Sequence, residues 1–137
     1  MHGLAAMTKE QLNQITDRII GAAIEVHRVL GPGLLESAYE SCLALELIKR
    51  GFTIERQKAL PLVYKGVRVG TGYRVDLIVE GEVVVEVKSI EKFEPVHVAQ
   101  ILSYLHLTGC KVGLLLNFNV KWLVDKGIKR VVNEFPD

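Results

Sequence analysis

The sequence is short of several things, and each shortage narrows its function. Two cysteines, Cys42 and Cys110, and four histidines in 137 residues supply neither a disulfide framework nor the paired Cys/His spacing of a zinc module. Both cysteines fall in apolar stretches and are expected to be buried, without an activating base nearby. No apolar run approaches the roughly 20 residues that span a bilayer, and residues 1–10 lack the layout of a secretory signal. The expectation is a cytoplasmic protein with no membrane partner. Charge of one sign is also missing: 17 Lys+Arg stand against 16 Asp+Glu, so no global field draws the chain onto nucleic acid. Binding to a polyanion would need a local patch or a metal. Repeats, low-complexity tracts and linkers are absent as well, which predicts one domain over residues 1–137.

What is present is the mixture of a folded chain, 49% hydrophobic and 24% charged. Thr8 with Gln11 forms a capping-box pattern, and Leu12, Ile15, Ile19, Ala22, Ala23, Val26 and Leu30 recur at helical spacing, predicting a helix over 9–30. Gly31-Pro32-Gly33 ends it, and a second helix is expected from Leu34 to Arg50. Short β-type runs follow at 53–57, 60–64, 67–69, 73–79 and 83–89, punctuated by Lys65-Gly66, Gly70–Gly72 and Gly81, as in an antiparallel meander. Pro95 suits the first turn of a third helix ending near Thr108, with Gly109 as its cap, before a buried strand over 112–117. Residues 120–134 read as two short strands joined around Asp125-Lys126-Gly127.

Charges inside a valine-rich hairpin carry the chemical signal. Glu86 and Lys88 share a face of their strand because side chains alternate with period two. A two-residue loop at Gly81-Glu82 would mix charged and apolar side chains on both faces. A three-residue loop of Glu80, Gly81 and Glu82 instead opposes Val75 to Val87, Leu77 to Val85 and Val79 to Val83, leaving one wholly apolar face. That register sets Asp76 opposite Glu86 and Arg74 opposite Lys88. Two adjacent carboxylates repel unless a cation lies between them, and hard oxygen ligands suit Mg2+ or Mn2+. Such an ion activates water and neutralises phosphoryl charge, and Lys88 would orient the water or steady the phosphorus, which points to phosphodiester hydrolysis. A salt-bridged, solvated hairpin face is the bland alternative.

At these residues the chain resembles the PD-(D/E)XK nuclease superfamily, whose motif is an acid on one strand and (D/E)-x-K on the next. Here the motif reads Val75-Asp76, then Glu86-Val87-Lys88, with Val75 in place of the proline. Upstream, Gly33-Leu34-Leu35-Glu36-Ser37-Ala38-Tyr39 resembles the motif of the GxxExxY family, and Glu25-Val26-His27 and Leu30-Gly31-Pro32-Gly33 also fit it. The resemblance covers about Thr16 to Asn119. It implies an α/β chain in α+β arrangement, with a central mixed sheet, an antiparallel meander, flanking helices and a restriction-endonuclease-like core.

It also implies Asp76 and Glu86 as metal ligands with Glu36 as auxiliary ligand. Glu36 equally fits a first-turn glutamate favoured by the helix dipole. Tyr39, one turn on, either contacts substrate and closes the site or packs. Gln100-Ile101-Leu102-Ser103-Tyr104 resembles the Q-x-x-x-Y motif of exonuclease-like branches, giving Gln100 a site role and Tyr104 a substrate contact; Arg74, which the hairpin register brings to the same cluster, is also expected to contact substrate. His97 shares their stripe. His27 is read as a packing residue.

The function expected is a metal-dependent nuclease acting on DNA or RNA. A catalytically silent binding or adaptor module of the same fold is the alternative, and a homodimer or a protein complex stays open. A hydrolase of small phosphate esters ranks last because no glycine-rich phosphate cradle is present.

Overall fold

In a computed structural model, residues 6–136 are described, and two apolar clusters lie on opposite sides of one sheet. The first helix, α1 (Lys9–Leu30), starts where the sequence says it should. The Thr8 hydroxyl accepts from the Gln11 N–H while the Gln11 side chain accepts from the Thr8 N–H, satisfying two otherwise orphaned donors. Helix α2 (Glu36–Lys49) begins two residues later than expected, because Leu35 is extended and forms the cap position. No helix among the described residues is long and apolar enough to cross a membrane.

Five strands follow in spatial order β1-β2-β3-β4-β5: β1 (Ile54–Tyr64), β2 (Val67–Val79), β3 (Val83–Lys88), β4 (Val112–Asn117) and β5 (Ile128–Val132). The first three form the expected antiparallel meander, with β1 and β2 each longer and more continuous than their sequence runs suggested. Helix α3 (Pro95–Thr108) carries the chain from β3 to its parallel neighbour β4. Pro95 opens α3, and Gly109, left-handed at φ 77°, closes it.

Strands β3 and β4 lie at the centre of the sheet and are covered on both faces, so their apolar residues run consecutively. On one side Leu77, Val79, Val83, Val85 and Val87 pack under α1 and α2 with Leu12, Ile19, Tyr39 and Leu43. On the other, Ile78, Val84 and Leu115 pack under Ile101, Tyr104 and Leu105 of α3. Gly113 lets α3 approach this closely: a Cβ there would stand 2.7 Å from the Ile101 side chain.

Three expectations are corrected. Residues 123–126 form a helical turn, α4 (Leu123–Lys126), so only the second of the two C-terminal strands exists, as β5 paired with β4. Cys42 is exposed on α2, whereas Cys110 is buried. Val75 lies in the cluster under α3, opposite the side of Val87, so the apolar face of the hairpin is not continuous. The cause is local. Gln57 of β1 has φ 50°, a left-handed conformation between the paired positions Arg56↔Leu77 and Lys58↔Val75. This interrupts the pleat, and alternation does not carry across Asp76.

Candidate active site

The expected register holds where it can be read: Leu77 pairs with Val85, Ile78 with Val84 and Val79 with Val83, across the loop Glu80, Gly81 and Glu82. Beyond Leu77 the ladder stops and side chains take over the freed backbone donors. The Glu86 carboxylate accepts from the Asp76 N–H at 2.8 Å, and the Asp76 carboxylate accepts from the Val87 N–H at 2.9 Å. These reciprocal bonds bring the two acids together where the strands part. Arg74 does not sit across from Lys88 in a ladder pair. It is exposed and donates to the Gln57 carbonyl at 3.2 Å.

Burial makes this pair electrostatically expensive. Glu86 is 3% exposed, and loss of water, reinforced by the neighbouring Asp76 charge, pushes its carboxyl up to about 8. Asp76 is also raised, first by burial and further by the charge of Glu40, against the lowering bonds from Val87 and Gln57. Lys88 extends from the same strand, half-buried, and donates to Gln100 Oε1 of α3 at 3.1 Å. The structure therefore gathers Asp76, Glu86, Lys88 and Gln100. Tyr104 is buried beside them, its hydroxyl pushed up to about 12 by burial and by the Glu86 and Asp76 charges, with its ring edge-on to Tyr73.

The remaining expected residues divide. Glu36 lies at the start of α2, and its carboxylate accepts from the Ser89 N–H at 3.1 Å, tying the loop after β3 to the helix. It faces Glu86 closely enough to add to that group's upward shift, but it does not join the two acids in a three-residue cage. Tyr39 packs. It is fully buried, stacked on Phe118 at 4.6 Å, and its hydroxyl donates to the Gly31 carbonyl and accepts from the Leu34 N–H. That arrangement braces the Gly31–Leu34 turn and leaves no group for a substrate. His97 is spent on the start of α3, accepting from the Glu94 N–H, and His27 bonds the Val120 carbonyl at 2.7 Å.

Two participants escaped the sequence reading. Gln57 donates through its amide to both Glu40 and Asp76, linking α2 to the acid pair. Glu40, 7% exposed, is further held by two bonds from Arg56. The available signal was that Glu40 follows Glu36 by four residues and so shares its helical face. Gln57 offered no such signal, since its role depends on its left-handed backbone.

A hard divalent ion suits this donor set. Glu86 has one carboxylate oxygen outside the crossed bonds, and the mutual repulsion of the pair is relieved by a positive charge. Among the described residues no three His, Cys, Asp or Glu side chains form a complete cage. The fit is to an ion that keeps most of its waters and takes one or two carboxylates, the habit of Mg2+.

The five-stranded mixed sheet with helices on both faces is a restriction-endonuclease-like core. The chain belongs to the PD-(D/E)XK nuclease superfamily, whose family model matches residues 13–131. Comparison with curated proteins and with solved structures gave no match.

Proposed function

We propose that this chain is a divalent-metal-dependent nuclease that hydrolyses phosphodiester bonds in nucleic acid, and that within its superfamily it groups with the GxxExxY proteins. The observation that carries the reading is the crossed pair: Asp76 and Glu86 each bond the backbone of the other's strand at the point where the strands separate, with Lys88 beside them. Asp76 and Glu86 would hold Mg2+ or Mn2+. When bound there, the ion lowers the pKa of water and neutralises charge developing on a phosphoryl oxygen.

The chain's own groups have separate tasks. Lys88, held at its tip by Gln100, presents an ammonium to the phosphate and offsets charge as water adds and the phosphorus–oxygen bond to the leaving strand breaks. The leaving oxygen takes a proton, and the products are a phosphate monoester and a hydroxyl end. Gln57 fixes the Asp76 carboxylate from the side of α2, and Glu40 fixes Gln57 in turn. Glu36 acts from the rim, as an auxiliary ligand through water or as the anchor of the Ser89 loop.

Incubation with a panel of labelled DNA and RNA in Mg2+ or Mn2+ tests this. Chelator-sensitive cleavage is expected, lost in Asp76→Ala, Glu86→Ala and Lys88→Ala. Equal cleavage by all four proteins, or metal binding without turnover on any substrate, contradicts it; the latter result defines an adaptor.

A further inference from the structure

The first two strands run well past the body of the sheet. Strand β2 pairs with β3 only through Leu77–Val79, yet it continues back to Val67 with β1 as its sole partner. The result is a two-stranded ribbon closed at Lys65 and Gly66, both left-handed, as a two-residue hairpin turn of this twist requires. Its base packs Leu60 and Tyr73 against α3, whereas every residue from Pro61 to Gly72 is exposed.

Charge on the ribbon is segregated. Residues 56–75 contain Arg56, Lys58, Lys65, Arg68 and Arg74 and no acidic residue, while the rest of the sequence carries 12 basic and 16 acidic residues. A near-neutral chain thus divides into a basic arm and an acidic body. Arg56 is committed to Glu40, Lys58 is paired with Glu55 at the start of β1, and Arg74 reaches the Gln57 carbonyl. Lys65 and Arg68, at the tip, make no ion pair among the described residues. Tyr64, Val67 and Val69 stand exposed between and beside them.

We propose that the β1–β2 arm binds duplex DNA, lying in the major groove beside the phosphate that reaches Asp76 and Glu86. The groove admits a two-stranded β-ribbon, its phosphates flank Lys65 and Arg68, and its thymine methyls suit the exposed valines. At about 3.3 Å per residue the arm reaches ~25 Å from Gln57 to its tip, or about seven base pairs at ~3.4 Å each. The deep, narrow major groove of duplex RNA excludes such a ribbon. Self-association through the arm is disfavoured by the same charges, since two like-charged arms repel. The position of the scissile phosphate rests on the nuclease reading; the binding surface does not.

The test is equilibrium binding to labelled duplex DNA in chelator, across a salt series, so that no turnover intervenes. Compared with wild type, Lys65→Glu/Arg68→Glu should lose about tenfold or more in affinity at low salt, and its log–log salt slope should shrink by about two. Lys126→Glu/Lys129→Glu makes the same charge change at the end of α4 and on β5, on exposed residues, and should bind within about twofold of wild type. Equal losses in both double variants, an unchanged arm variant, or equally tight binding of duplex RNA overturns the proposal. The two readings separate cleanly. Normal binding by the arm variant with cleavage lost in Glu86→Ala rejects the arm and keeps the nuclease, and the reverse pattern keeps the arm alone.

Discussion

The two ends of the β2–β3 pair are built from neighbouring residues and obey different rules. At the closed end, Leu77, Ile78 and Val79 face Val83, Val84 and Val85 in an ordinary ladder and are buried on both sides. At the open end, one residue further, Asp76 and Glu86 spend their carboxylates on backbone N–H groups that the ladder no longer uses. The first arrangement lowers the energy of the fold by removing apolar surface from water. The second places two acids where both resist ionisation. The apolar ladder and the acid pair are thus separated by a single residue along each strand, and that separation is open to experiment.

The largest contrast is expected in catalysis. Glu86→Ala or Asp76→Ala should lower the cleavage rate by at least about a hundredfold, the scale for loss of a group that stabilises developing charge. Leu77→Ala should cost about 2–5 kcal/mol of stability by urea denaturation, and its remaining folded fraction should still cleave.

A pH series sharpens the same comparison. The Glu86 carboxyl sits above its unfolded value, so the folded state keeps a proton that the unfolded chain releases between about pH 4.5 and 8. In metal-free protein, stability should therefore fall as pH rises through that window, by up to about 1.4 kcal/mol per pH unit. Glu86→Gln should flatten the dependence, and Leu77→Ala should keep its slope while lowering the whole curve. A smaller effect is expected at Gln57. Loss of its bonds to Asp76 and Glu40 in Gln57→Ala should lower cleavage about tenfold, the scale of one charge-assisted hydrogen bond. The smallest effect on activity is expected of Tyr39→Phe, which leaves the Gly31 carbonyl and Leu34 N–H without their partner. It should cost about 1–3 kcal/mol in denaturation with no change in activity per folded molecule.

The closed end was readable from sequence because apolar alternation and turn length together admit one register, and α1 was readable because its capping box fixes its start. The open end was readable only in part. Period two put Glu86 and Lys88 together, and the register paired Glu86 with Asp76, but the strands part beside a left-handed glutamine of the neighbouring strand, which no periodicity announces. Glu40 was invisible for a related reason: a buried charge is decided by its partners, here Arg56 and Gln57, which lie 16 and 17 residues away. Residues 120–126 misled because a short apolar run has no period long enough to separate a helical turn from a strand.

Everything proposed for catalysis turns on whether the crossed carboxylates share an ion. Calorimetric titration of the metal-free protein with Mn2+ measures this directly at pH 7, in two buffers of different ionisation enthalpy. One ion per chain with proton release from the acid pair is predicted, and Asp76→Asn should abolish both. Absence of binding, or equal binding by wild type and Asp76→Asn, would contradict it.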